Sequence, residues 1–226
     1  LGLGDDQDAD GWQTGYKAWE PQLWKALGVD SVTVTEAEPE PITNEHIKVA
    51  SNYLRGTIAE GLQDTTTGAI CETDTQLTKF HGTYMQYDRD TVEERKAAGL
   101  EPAYGFMIRV RMPGGVCTPE QWLQLDQVTE QYGGIKSLKI TTRQTVQYHM
   151  ILKRNMKAAM QGINRSMLDT IAACGDVNRN VMCSPNLHLN QVHEEMYEFS
   201  KRLSDYLLPR MNAYHEIWLD KGTDSS

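Results

Sequence analysis

Ser137-Leu-Lys-Ile-Thr-Thr-Arg-Gln-Thr-Val-Gln-Tyr-His-Met-Ile-Leu152 alternates with period two. Leu138, Ile140, Val146, Tyr148, Met150 and Leu152 hold the even positions. Lys139, Thr141, Arg143, Thr145, Gln147 and His149 hold the odd ones, and every odd side chain can hydrogen-bond. Such alternation gives a strand one apolar face and one polar face. A two-sided antiparallel sheet with a wet face accounts for it by itself. Drawn straight, Lys139 to His149 covers about 33 Å, more than one small ligand. Either the strand bends or the group it faces is large.

The neighbouring segments build outward from this strand. Tyr104 to Met112 is a second strand, with Phe106, Ile108, Val110 and Met112 on one face and Met107, Arg109 and Arg111 on the other. Pro113-Gly-Gly115 turns the chain. Thr118, Pro119 and Gln121 form a helix start with a capping box, and Trp122, Leu125, Val128 and Tyr132 make an apolar stripe ended by Gly133-Gly134. A helix follows from Asn155, with Met156, Ala159, Met160, Ile163 and Met167 on one side. Methionines at this spacing are core far more often than a soft-metal site.

Val177 to Cys183 reads as a third strand, and a helix from Asn190 turns Val192, Met196, Phe199, Leu203 and Tyr206 inward until Pro209. Upstream, Asn44 caps a helix carrying Ile47, Ala50, Leu54 and Ile58 as far as Gly61. Lys79 to Tyr87 is a strand, and 88–98 is a charged helical or loop segment. Strands and helices in this order predict a layered α+β domain.

The chain has 226 residues with 22 Lys and Arg against 31 Asp and Glu, a net charge of −9. That balance disfavours general nucleic-acid or membrane-surface binding, and no apolar run is long enough to span a bilayer. The charge is polarised. Residues 1–45 hold ten acids and two bases, whereas residues 131–168 hold seven bases and no acid. Thr35-Glu-Ala-Glu-Pro-Glu-Pro41 has a linker's composition. The organisation expected is therefore 1–34, a linker at 35–43, and a domain from 44 to 226. The absence of an initiator Met is expected of a piece of a longer chain.

Cys71, Cys117, Cys174 and Cys183 are scattered, as expected of thiols in a reducing compartment such as the cytoplasm. No Ser-His-Asp spacing, phosphate-binding loop or HExxH motif is present, and His81, His149, His193 and His215 are isolated. What remains is a set of cations: Arg109, Arg111, Lys139, Arg143 and Arg179. Held on strands, such groups suit an oxyanion or a multi-carboxylate ligand. With no nucleophile or general base beside them, any reactive centre must come from elsewhere. A non-catalytic anion-binding module is one reading that this leaves open.

Five motifs resemble one family: Ser51-Asn-Tyr-Leu-Arg-Gly-Thr-Ile-Ala-Glu60, Lys79-Phe-His-Gly-Thr-Tyr84, Met107-Ile-Arg-Val-Arg-Met-Pro-Gly-Gly-Val116, Thr141-Thr-Arg-Gln-Thr-Val-Gln-Tyr-His149 and Asp176-Val-Asn-Arg-Asn-Val-Met-Cys183. Together they resemble the N-terminal half of the hemoprotein (beta) subunit of assimilatory NADPH sulfite reductases. The resemblance covers about residues 45–220. Gly2-Leu-Gly-Asp-Asp6 and Trp19-Glu-Pro-Gln-Leu-Trp24 resemble the end of a flavodoxin-like domain, which the long fungal form of that subunit carries ahead of its hemoprotein part.

The resemblance implies an α+β, ferredoxin-like half-domain of the sulfite/nitrite reductase type. It is preceded by a short flavodoxin-like remnant at 1–34, too small to bind FMN. It implies part of an enzyme that reduces sulfite to sulfide with six electrons, in sulfate assimilation and cysteine biosynthesis. The implied cofactors are a siroheme and a 4Fe-4S cluster bridged by a cysteine thiolate. Arg109 and Arg179 match arginines that hold the sulfite anion, and Lys139, Thr141, Thr142, Arg143, Gln147 and His149 match positions that contact siroheme. A siroheme carries eight carboxylates, which suits the basic stretch. The implied partners are sulfite, a flavoprotein (alpha) subunit as electron donor, and the remainder of the same chain.

Thr142 stands where the bacterial pattern has Asn, and Lys139 where it has Arg. The C-x5-C and C-x3-C cluster ligands and the two lysines of the sulfite site are expected beyond Ser226, so this chain alone is expected to be inactive and no residue of it is assigned to a metal. Siroheme nitrite reductases are the alternative. The Met-Pro-Gly-Gly and Ser-Asn-Tyr-Leu-Arg-Gly runs favour sulfite.

Overall fold

The computed structural model describes residues 12–28, 42–171 and 177–220. It divides into two compact units, Leu1–Ile42 and Thr43–Ser226. In the first, α1 (Gln13–Ala26) has Pro21 inside it and buries none of its side chains. Its aromatic residues meet in sequence, Trp12 edge-on to Tyr16 and Tyr16 tilted against Trp19, each pair with centroids 6.2 Å apart. Gly2 to Asp6 lie outside the described residues.

The second unit is α+β. Its sheet is antiparallel throughout, with the order β1-β2-β4-β3. The strands are β1 (Thr83–Tyr87), β2 (Tyr104–Arg109), β3 (Lys139–Ile140) and β4 (Val146–Ile151). One face is dry: Ile108 and Val110 beside β2's end, and Val146, Tyr148 and Ile151 on β4, pack on two helices. These are α6 (Pro119–Tyr132), which supplies Leu125 and Val128, and α7 (Met156–Arg165), which supplies Ala159, Met160 and Ile163. The α6 start has the capping box read from the sequence: Thr118 Oγ1 accepts from Gln121 N at 3.2 Å and Gln121 Oε1 accepts from Thr118 N at 2.9 Å.

The strand expected from Ser137 to Leu152 is instead a hairpin. Lys139 pairs with Gln147 and Ile140 with Val146, and the chain reverses through Thr141 to Gln144. The turn is closed by Gln144 N donating to Thr141 O (3.1 Å) and Thr141 N to Thr145 O (2.8 Å). Gln144 takes φ 53°, where glycine or asparagine is usual. The reversal removes the length problem, because Lys139 and His149 lie within one patch rather than about 33 Å apart.

Other expectations also change. The helix expected from Asn44 through Ile58 is broken into α2 (Asn44–Ala50), capped by Thr43, and α3 (Ile58–Gln63). Between them Asn52, Tyr53 and Leu54 take φ 52°, 58° and 65°, and Gly56 takes φ 55°. Each non-glycine residue there costs about 1–2 kcal/mol. The turn is held by Ser51, whose Oγ donates to Lys48 O (2.6 Å) and accepts from Leu54 N (2.9 Å), and by burial of Leu54 with Ile58, Leu77 and Phe80. An unforeseen helix, α4 (Glu72–Lys79), occupies the start of the expected 79–87 strand. The charged 88–98 segment contains α5 (Val92–Ala97).

Residues 177–183 form no strand. Met167, expected in the core, is 87% exposed, with φ 61° just past α7. The last helix, α8 (Gln191–Tyr206), is capped by Asn190 but rotated from the expected face. Val192, Met196, Phe199 and Tyr206 are exposed, and only Ser200 and Ser204 are buried. An ionic anchor sets that rotation: Arg111 donates to both oxygens of Asp169 (2.7–2.9 Å), to Ser204 Oγ (3.1 Å) and to Asp205 Oδ1 (2.9 Å). Arg111 is therefore a structural tie and leaves the candidate cation set.

His81 sits between α4 and β1, 3% exposed, and among the described residues its Nε2 has no partner. Burial, with a smaller contribution from His215, pushes its pKa down to about 4 from 6.5. The folded value is depressed, so the unfolded chain takes up the proton first as pH falls. Stability from this group is complete above pH 6.5 and drains away down to about pH 4, by ~3 kcal/mol in all. Urea melts at pH 7 and pH 4.5 should show that loss in the wild type and a smaller one in His81→Gln. An equal loss in both would assign the acid sensitivity elsewhere.

Candidate functional site

The sheet face opposite α6 and α7 is polar, and the pairing brings its cations together. Arg109 on β2 is the register partner of Gln147 on β4, which is the register partner of Lys139 on β3. The three form one row across three strands, at about 4.8 Å per step. The Gln147 amide, turned so that its oxygen meets donors, accepts from Arg109 Nε (2.9 Å) and Nη2 (3.0 Å). The same orientation leaves the amide nitrogen facing His149 Nε2 at 3.3 Å. His149 then accepts on Nε2 and carries its proton on Nδ1. Burial, then the Lys139 charge, push its pKa down, so the ring is neutral at pH 7.

Tyr84 on β1 completes this patch, with the Arg109 guanidinium 5.4 Å from its ring centroid. The Arg109 backbone is fixed too: its N–H donates to Gly82 O at 2.9 Å. Gly82 has φ 65°, and a Cβ there would stand 2.6 Å from Thr170 O and 2.9 Å from Arg109 O, so only glycine fits.

A second group forms at the hairpin turn. Asn180 is 2% exposed and acts as a buried clasp. Its Oδ1 accepts from Met112 N (2.8 Å), and its Nδ2 faces Met112 O (2.9 Å), Arg143 O (2.9 Å) and Gln144 O (3.2 Å). Gln144 reaches back to the same segment, donating to Cys183 O (2.7 Å) and accepting from Cys183 N (3.0 Å). These bonds bring Arg179, next to Asn180, up to the turn that carries Arg143. Arg179 is exposed and Arg143 half-buried. Among the described residues, the buried Arg143 Nε has no hydrogen-bond partner.

The expected residues thus fall into two groups, Arg109, Gln147, Lys139 and His149 on the sheet, and Arg143 with Arg179 at the turn. Thr141 and Thr142 differ from these. The Thr141 hydroxyl accepts from Arg143 N at 3.3 Å and shapes the turn, and Thr142 is exposed at its tip. The basic stretch is also partly spent on structure: Lys153 is buried and donates to Ala69 O at 2.9 Å, and Lys157 pairs with Asp220. Sequence reasoning missed Asn180, Gln144 and Tyr84 as parts of the site. All three lie inside quoted motifs, but nothing in their spacing separates a clasp or a ring under a guanidinium from ordinary polar filler.

Among the described residues no group of three His, Cys, Asp or Glu could hold a metal, and Cys71, Cys117 and Cys183 are free thiols. No described helix is long and apolar enough to cross a membrane. The arrangement is a cationic wall that can bind anions.

Comparison with known proteins gives this wall a context. Residues 99–166 match the nitrite/sulfite reductase ferredoxin-like half domain, which spans β2 through α7. Over 220 residues, 97% of the chain, it is 58% identical to the sulfite reductase [NADPH] subunit beta of Schizosaccharomyces pombe. Over the same length it is 54% identical to that of Saccharomyces cerevisiae. It covers 15% of each of those proteins. It is 59% identical over 184 residues to the sulfite reductase [NADPH] hemoprotein beta-component of Staphylococcus haemolyticus, of which it spans 32%. Among solved structures, the Mycobacterium tuberculosis NirA protein superposes with a TM-score of 0.53 over 78% of this chain and 33% of its own, at 28% identity.

Proposed function

We propose that this chain, which resembles sulfite reductase [NADPH] beta subunits along most of its length, supplies the siroheme- and sulfite-facing wall of a sulfite reductase. The reaction is the six-electron reduction of sulfite to sulfide, in sulfate assimilation. The buried, unpartnered Arg143 Nε carries this reading. Leaving such a donor without an acceptor costs about 1–3 kcal/mol, and a siroheme carboxylate is an acceptor of the right charge and reach. Lys139 and His149 offer further donors on the sheet, and Thr141 and Thr142 shape and border the turn. A siroheme coupled to a 4Fe-4S cluster would supply the iron that binds sulfite and would relay to it the electrons of an external donor.

The chain's own residues bind and orient. Arg109, its plane fixed by Gln147, and Arg179, delivered by Asn180, would grip the sulfite oxygens from two sides. Neutral His149 donates from Nδ1 and adds no charge. The cluster ligands belong to another part of the polypeptide, and the electron donor is a flavoprotein subunit. Residues 1–34 fit a flavodoxin-like remnant, 35–43 the linker, and 44–226 the siroheme-facing region, all of it cytoplasmic.

In the full-length protein, Arg143→Ala should lower bound siroheme to below about half of the wild-type content, read from the visible spectrum of purified protein. Full occupancy would detach Arg143 from the cofactor. Nitrite reduction is the competing activity, and the 28% identity to NirA does not favour it. Turnover with each anion separates the two, and a large preference for nitrite would reverse the choice.

A further inference from the structure

We propose that Tyr84 is a positioning residue for Arg109 and sets the affinity for the oxyanion; this rests on the sulfite-binding role given to Arg109 above. A guanidinium on a strand has several rotamers, and only one points its fork at a bound anion. Gln147 fixes the plane of the fork through Nε and Nη2 from the β4 side. Tyr84 flanks the same guanidinium from the β1 side. It is the register partner of Met107, two residues before Arg109 on the same face of β2, so its ring reaches Arg109 diagonally. The guanidinium lies 5.4 Å from the ring centroid, within cation–π range. Tyr84 is half-buried, so part of that attraction escapes screening by water.

The ring face is what this role requires, and the hydroxyl is not. Tyr84→Phe should therefore behave as wild type, whereas Tyr84→Leu keeps bulk and loses the quadrupole. In the full-length hemoprotein, Tyr84→Leu should raise the KM for sulfite about 5- to 10-fold with kcat within about twofold and siroheme content unchanged. In the cofactor-free protein, the Arg109 Nε–H resonance should move with Tyr84→Leu and stay put with Tyr84→Phe. Combining Tyr84→Leu with Arg109→Ala should add nothing to Arg109→Ala alone.

A wild-type KM in Tyr84→Leu overturns the proposal, and so does a Phe variant as impaired as Leu or an additive double variant. If Tyr84→Leu fails to take up siroheme, Tyr84→Met is read in its place by the same criteria. If Arg109→Ala itself leaves sulfite turnover unchanged, the sulfite-binding role of Arg109 has failed. The resonance shift then still reports whether the ring orients the guanidinium.

Discussion

Arg109→Ala in the full-length protein should, under the proposed function, lower sulfite turnover at least about 100-fold while leaving siroheme absorbance nearly unchanged. Arg109 reaches the polar face from the middle of a four-stranded sheet. It is bonded in its plane by Gln147, and its backbone is pinned to Gly82. Such preorganisation lets a donor stabilise charge without first rearranging. Under the proposed function Arg179→Ala should behave alike, since an anion held by both arginines loses much when either goes. The checks are steady-state sulfite reduction and the visible spectrum of the same preparation. Turnover near wild type in both variants would remove the arginines from the anion site. Loss of siroheme in step with turnover would reassign them to the cofactor.

Asn180→Ala should be the most damaging change to the wall that touches no ligand. The side chain serves four backbone groups at once, on Met112, Arg143 and Gln144, and it is 2% exposed. Alanine leaves the buried Met112 N–H without its acceptor and three carbonyls without their shared donor. Roughly 3 kcal/mol of stability should go. Arg143 and Arg179 should lose their common anchor, so siroheme content should fall too. Arg179→Ala is the control for stability. Its side chain is exposed, so its unfolding free energy from urea melts should stay within about 0.5 kcal/mol of wild type. An Asn180→Ala protein as stable and as siroheme-loaded as wild type would mean that the 177–183 segment is held by other contacts.

The parts of this fold legible in the sequence are those with their own local chemistry. The α6 start follows from Thr118, Pro119 and Gln121, because a capping box needs nothing outside four residues. The core face of β2 follows from alternation for the same reason, and that of β4 does so as far as Tyr148; a bulge with Met150 at φ 55° then puts Ile151 in the core in place of Met150 and Leu152. The hairpin at Thr141–Gln144 was not legible. Alternation keeps its parity through the turn, and neither glycine nor proline marks it. Tertiary bonds from Cys183 and Asn180 hold Gln144 in its left-handed conformation instead. The break at Asn52–Leu54 is hidden in the same way, its left-handed residues being Asn, Tyr and Leu.

The face of α8 is not legible, because an apolar stripe suggests burial by default. Here the Arg111 cluster turns Ser200 and Ser204 inward and leaves Phe199 62% exposed. For the site, charge and residue type pointed to Arg109, Lys139, Arg143 and Arg179. They could not show that Arg111 is consumed by Asp169, or that Gln147 serves Arg109 directly. Those are long-range pairings, which a single sequence does not display.

The most direct measurement is a crystal structure of the full-length protein with siroheme and sulfite bound. The expected result places sulfite oxygens within hydrogen-bond reach, about 3 Å, of both Arg109 and Arg179, with a siroheme carboxylate on Arg143 Nε. Sulfite held by other residues, with both guanidinium groups out of reach and Arg143 Nε still unpartnered, would contradict it.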